Sequence, residues 1–321
     1  MASNVPNLTT RAVIDTAGST ADQIYADAVL SGMHTLVVDE YNLLMRKEVP
    51  GQVDAVVFPV MDNFDLTWTD ISGTGSDTGS DITVTEGSAV TYRKLTPVLS
   101  SAAIFVTDAV DLLTNKADFE LYAKLGAQNV GKKIDQDAIN NAIFAADNST
   151  WIDTTGIIVV GTSYAGSTGS VGTGSYADFT SLSKMKATLT TGSNPRNVDT
   201  ILMHPNQHSQ LITSSDLRGD TYRVTNKARF NANGDLEWYD GCKVVVTELV
   251  NAGTTGYYSS TGHPVAIFDS RIAGALATKM AGFGVSTVDD RLKHGKYKIF
   301  DIMFKADVLV AGAIGILRCV D

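Results

Sequence analysis

Cysteine is nearly missing from this chain. Cys242 and Cys319 are the only two, too few and too far apart to build a disulfide framework or a zinc site by themselves, and both read as ordinary buried thiols. Positive charge is also scarce: 25 Lys and Arg stand against 35 Asp and Glu, a formal net charge of −10. Phosphate backbones are gripped by clustered Lys and Arg, so this balance argues against a surface built to hold nucleic acid. The only basic runs, RKLT at 93–96 and RLKHGKYK at 291–298, read as solvated strand or turn. Long apolar runs are absent as well. No stretch approaches the roughly 20 apolar residues of a membrane-spanning helix, and MASNVPNLTT has neither the basic start nor the apolar centre of a secretory leader. The expectation is a chain made and used in a cytoplasm, with no membrane partner.

The signatures of catalysis are missing too. His204 and His208 are four residues apart, which would put them on one helical face, but Pro205 is placed to open a helix and leaves His204 on the strand before it. They would be the first residues to suspect in an enzyme, and metal binding there is disfavoured. GTSYAG around Ser163 misses the spacing of a nucleophile elbow and lies in a Gly/Ser-rich linker. Gly73, Gly75 and Gly79 are followed by neither a GK[ST] sequence nor a helix, so no phosphate loop is expected. Carboxylates are plentiful without any pair standing out. No catalytic, cofactor-binding or metal-ligating residue is therefore assigned, no cofactor is expected, and the chain does not read as an enzyme.

What is present is a large core and an uneven alternation of β and α signals. With 321 residues, 44% of them hydrophobic, the chain can bury one elaborate domain or two intimate ones. Residues 1–18 form a polar arm with no periodic apolar face. Thr20 and Gln23 make a capping box for a short helix over 21–31, which Gly32 ends. QVDAVVFPVM at 52–61 is β-rich, and its Pro59 suits an edge or isolated strand. A Gly, Ser, Thr and Asp run follows at 71–81, and strand character returns over 83–108, interrupted at Pro97. Residues 50–106 therefore read as a long two-stranded hairpin, and a hairpin alone in water is marginal, so another copy of the chain is the simplest cover.

Thr107 can cap a short helix, and Asn115 a longer one. Phe119, Tyr122, Gly126, Val130, Ile134, Ala138 and Ala142 then recur at helical spacing, predicting a helix of roughly 30 residues, about 45 Å long, whose narrow stripe needs a sheet to lie on. Beyond the low-complexity run at 161–180, LSKMKATL predicts a helix, VDTILMH a buried strand, and PNQHSQLITSSD a helix opened by Pro205. LEWYDGCKVVVTEL predicts two strands about a turn at Asp240 and Gly241. Further strands are expected in HPVAIFDS, in GVSTVDDRLK before a turn near Gly295, and in YKIFDIMFKADVLVAGAIGILRCV. The class is α+β with segregated elements.

The order arm, hairpin, long helix, Gly/Ser connection, compact mixed unit and closing strands resembles the Hong Kong 97-type capsid fold of tailed-phage major capsid proteins. TEGSAVTYRKLTPVLSSAAIFVTDAVDLL at 85–113 is similar to that family's descending hairpin strand and short helix, ILMHPNQHSQL at 201–211 to its axial strand and helix, and PVAIFDSRIAGALA at 264–277 to its return to the peripheral subdomain. The resemblance spans nearly the whole chain and rests on order more than on any one motif.

The resemblance implies an N-terminal arm and short helix at 1–49, an extended loop at 50–106, a peripheral subdomain with a spine helix at 107–160, a connection at 161–179, an axial subdomain at 180–257, and a return to the peripheral subdomain at 258–321. It implies a virion capsid assembled in the host bacterial cytoplasm, with pentamers and hexamers of the chain forming an icosahedral shell around double-stranded DNA. Portal, scaffolding and possible decoration proteins would be its partners. Some members weld their shells with a Lys to Asn isopeptide bond from the extended loop. Residues 51–92 here contain no Lys, so no such mesh is expected. Only about 50 residues precede the hairpin, which leaves no room for the large helical prodomain of the best-known member and points to a separate scaffolding protein. The rivals are an encapsulin-like compartment shell, which shares this fold, and a decoration or tail-tube protein, against which the long helix argues.

Overall fold

The structure, a computed structural model, describes residues 37–60, 91–107, 116–147, 157–160, 175–191, 196–213, 228–252, 262–279, 284–290 and 292–321. The arm, the capping box at Thr20 and Gln23, the Gly-rich run at 71–81, the short helix after Thr107 and most of the Gly/Ser connection lie outside these residues.

In chain order the elements are α1 (Val37–Glu40), β1 (Met45–Glu48), β2 (Val56–Val60), β3 (Thr91–Leu95), β4 (Val98–Thr107) and the long helix α2 (Lys116–Ala138). Then come β5 (Ile157–Val160), α3 (Phe179–Thr191), β6 (Thr200–Met203), α4 (Pro205–Thr213), β7 (Ala228–Phe230), β8 (Leu236–Tyr239) and β9 (Cys242–Val246). The chain closes with β10 (Val265–Phe268), β11 (Gly274–Thr278), β12 (Gly284–Asp290), β13 (Gly295–Val308) and β14 (Ile314–Arg318).

Among the described residues the strands form three sheets. A five-stranded sheet runs β1-β11-β13-β12, with β4 also on β13; a seven-stranded sheet runs β5-β14-β10-β6-β9-β8-β7; and β2 pairs with β3 alone. The seven-stranded sheet draws strands from both sides of residue 257. It is covered on both faces, which is why β6, β10 and β14 are buried at every position. On one face Phe179, Leu182, Met185 and Leu189 of α3 pack on Ile201, Met203, Val265, Ile267 and Leu317. On the other, Leu202, Val245, Ala266 and Phe268 share a core with Ile134, Ala138, Ile139 and Ile143 and with Phe300, Ile302 and Phe304 of the five-stranded sheet. The long helix thus ends between the two sheets.

That helix fulfils the expectation of one continuous run. Its α part is followed directly by a π-helical segment at Ile139–Ile143 and a 3-10 turn at Phe144–Asp147, a change of pitch the periodicity did not foretell. Gly126, Val130, Ile134, Ala138 and Ala142 of the expected stripe are buried. Gly126 is needed for contact: a Cβ there would lie 2.7 Å from Cζ of Phe300. The β8–β9 turn has positive φ at Asp240 (49°) and Gly241 (80°), the two-residue hairpin that the Asp-Gly pair predicts.

One expectation is corrected. The two-stranded ribbon read over 50–106 is, among the described residues, only Val56–Val60 against Thr91–Leu95. At Thr96 and Pro97 the chain leaves it, because proline has no N–H for the ladder, and Val98–Thr107 joins the five-stranded sheet against Gly295–Phe304. Pro59 does sit in a strand with a single partner among the described residues.

Candidate assembly surface

Alternation decides what the β2–β3 ribbon buries. Val56, Phe58 and Val60 point one way and, with Leu95, pack on Ala275 and Ala277 of β11. Val57 and Tyr92 point the other way into solvent, Tyr92 with 68% exposure. The Lys47 ammonium anchors the ribbon by donating to the Val57 carbonyl at 3.0 Å and lying 4.8 Å over the Phe58 ring.

β13 is long enough to serve two neighbourhoods. Its last residues, Phe304–Val308, pair with β11, while Gly295–Asp301 pair with β12 and Gly295–Phe304 with β4 on the opposite side. Neither β4 nor β12 has a second partner among the described residues, so this end is a three-stranded arm with two open edges. Its surface is apolar where an isolated sheet would be polar: Val98, Leu99, Phe105 and Val288 are all exposed. Val98 and Leu99 are consecutive and therefore lie on opposite faces, so this end of β4 exposes apolar side chains on both faces, while Phe300, Ile302 and Phe304 of β13 are buried under the long helix. Leu292, on the turn joining β12 to β13, is 95% exposed. The turn is held by the Asp290 carboxylate, which accepts the N–H groups of Leu292 (3.1 Å) and Lys293 (3.2 Å). The Lys293 ammonium in turn donates to the Tyr297 hydroxyl at 2.8 Å. Backbone edges and apolar side chains displayed together form a surface suited to pairing with another polypeptide.

The histidines do not converge. His208 lies on α4, buried, and its Nε2 accepts the Leu236 N–H at 3.2 Å, while burial lowers its pKa. His204 precedes the helix, as Pro205 requires, and stacks on His263 with ring centres 3.8 Å apart. Burial, and then the neighbouring His263, lower its pKa. His263 contacts the Asp321 carboxylate at 2.8 Å. Burial disfavours that carboxylate's charge, yet hydrogen bonds from His263 and Gln207 outweigh it and hold the pKa below its ordinary value. Among the described residues no group of three or more His, Cys, Asp or Glu side chains could hold a metal. Ser163, Gly73, Gly75 and Gly79 lie outside the described residues. Cys242 and Cys319 are buried thiols, neither in a disulfide, and burial pushes the Cys242 thiol up to about 11. No helix among the described residues is long and apolar enough to cross a membrane.

Neither a protein-family model nor a curated protein matches the sequence. Solved structures do match. The capsid of cyanophage P-SCSP1u aligns over 88% of each chain at 12% identity with a TM-score of 0.55. A structure from Gordonia phage Cozz aligns over 88% of this chain and 86% of its own at 12% identity, TM-score 0.54. The chain has the Hong Kong 97-type capsid fold. The same fold relates it to the SrpI encapsulin complex of Synechococcus elongatus PCC 7942, which aligns over 88% of this chain and 87% of its own at 12% identity, TM-score 0.51. Within the capsid fold, the open edges of β4 and β12 and the Tyr92 face went unseen in the sequence. Val98–Thr107 looked like half of a hairpin, and nothing local says that its partner lies 200 residues away.

Proposed function

We propose that the chain is a structural protein, the major capsid subunit of a tailed phage, which closes into an icosahedral shell of pentamers and hexamers around double-stranded DNA. The observation that carries the proposal is a capsid fold whose described edges, β4 and β12, lack partners and carry exposed apolar side chains. Such surfaces gain stability when a neighbouring copy covers them. In this reading residues 50–106 are the extended loop, 107–160 and 258–321 the peripheral subdomain, 180–257 the axial subdomain and 1–49 the arm. Scaffolding, portal and decoration proteins would be its helpers in the host cytoplasm. A net charge of −10 fits a container whose wall does not hold its DNA, with no sequence-specific contact.

The test is negative-stain electron microscopy of the full chain expressed alone and with its phage's scaffolding protein. Closed particles are expected, often misshapen when the chain is alone. A protein that stays monomeric under both conditions would end the proposal. A second reading, an encapsulin-like compartment, is favoured by the likeness to the SrpI complex. The contents decide between them: DNA supports the capsid, co-purifying enzyme the compartment.

A further inference from the structure

The two large sheets are not joined by any strand ladder among the described residues, yet their arrangement is fixed at the end of the long helix. Two neighbouring crossings connect them covalently, one from β10 to β11 and one from β13 to β14. They are stitched together by the backbone bonds Leu309 N–H to the Ala273 carbonyl (2.9 Å) and Asp269 N–H to the Ala313 carbonyl (3.1 Å). Two adjacent crossings make a line about which the sheets could turn, so a third attachment is needed to set one angle.

That attachment is a ladder on α2 and its π-helical continuation, with rungs four residues apart. Lys132 pairs with Glu248 at 3.0 Å, and the Gln136 amide donates to the Asn251 side-chain oxygen at 3.0 Å. Asn140 is the buried rung. Its amide donates to the Leu249 carbonyl at 2.9 Å and to the Gln136 carbonyl at 2.7 Å, and its oxygen accepts the Asn251 N–H at 3.0 Å. All the partners beyond the helix lie at 248–251, just past the end of β9 in the seven-stranded sheet. The same helix also packs on Phe300, Ile302 and Phe304 of the five-stranded sheet. The departure from α to π geometry begins at Ile139, beside this residue, where a poor helix former turns its side chain to backbone groups of another element.

We infer that Asn140 is the positioning residue that sets the angle between the two sheets, through its paired hydrogen bonds to Leu249 and Asn251. Apolar packing alone tolerates several nearby arrangements, whereas a buried amide with both ends satisfied fits only one. On the reading that this is a shell subunit, the same angle sets how neighbouring subunits meet and hence the curvature of the particle.

The test measures the angle directly. Spin labels are attached at Ser286→Cys on β12 and Glu237→Cys on β8, both exposed, while the native thiols are buried. Wild type gives one narrow distance population by pulsed electron resonance. In Asn140→Ala the population roughly doubles in width or splits, while circular dichroism still reports a folded chain. Asn140→Asp, which keeps the acceptor for Asn251 and loses the donor to Leu249, falls between. An Asn140→Ala distribution identical to wild type overturns the inference. Should that variant not fold, Asn140→Asp decides the matter: it must broaden the distribution or the inference fails. Particle diameter provides the second readout, with Asn140→Ala giving a wider spread by electron microscopy. If wild type forms no closed particles, the shell reading falls while the label distances still decide the role of Asn140.

Discussion

Leu292 stands in solvent on a turn that the Asp290 carboxylate holds rigid, so its side chain contributes nothing to the fold of one copy. Leu292→Asp is expected to leave the melting of the isolated subunit within about 0.5 kcal/mol of wild type and to cut the yield of particles in sedimentation. Equal particle yield would remove this turn from the assembly surface. His208 shows the opposite situation. Its Nε2 accepts the Leu236 N–H, a role only the neutral ring fills, and burial lowers its pKa from 6.5. A histidine with a depressed pKa stabilises the fold in its neutral form. That contribution is complete above 6.5 and is lost as the pH falls below it through the depressed value. His204 acts in the same direction, its pKa lowered by burial and then by His263, with Asp321 and Glu248 opposing. The melting temperature should therefore drop on acidification through this window. His208→Gln should show a shallower drop, and an unchanged slope would remove His208 from the acid response.

At the scale of elements, the short helix α1 depends on a side chain far along the chain. The Asp135 carboxylate accepts the N–H groups of Val37 (2.8 Å) and Val38 (3.2 Å), supplying acceptors from the long helix to the first turn of α1. Burial raises the Asp135 pKa, the Val37 and Val38 hydrogen bonds opposing it, so burial taxes the charge that the cap uses. Asp135→Ala leaves two N–H groups without that acceptor, a cost of about 1–3 kcal/mol by denaturant unfolding. Because α1 leads into β1, which adds to β11 in parallel register, amide exchange at Met45–Glu48 should quicken with it. Slow exchange there in the variant would show that β1 is held independently.

For the whole molecule the question is what holds copies together. Residues 51–92 carry no Lys, and the one lysine of the proposed extended loop is Lys94 at the end of β3, so no isopeptide mesh is expected. Purified particles boiled in denaturant should run as a single band at the 34.1 kDa chain mass. A ladder of multimers without added crosslinker would refute this. In the proposed shell, cohesion rests on the β4 and β12 edges and on exposed apolar side chains such as Tyr92, Leu99 and Val288, the kind of interface that denaturant dissociates.

The elements legible in the sequence were those whose cause is local. Pro205 opens α4, Asp240 and Gly241 bend the β8–β9 hairpin, and the stripe from Gly126 to Ala142 marks the long helix, because each depends on neighbours a few residues away. The partners of the strands were decided only in three dimensions. β1 and β5, which pair in parallel with β11 and β14, carry no turn or alternation that names those partners, and β4 chose β13 over the hairpin suggested by its position. Asp135 and Asn140 read as one more acid and one more amide on a helix. Their roles arise because folding brings backbone groups about 100 residues away, at Val37 and at Leu249, within hydrogen-bonding distance, and no local pattern encodes a contact of that span.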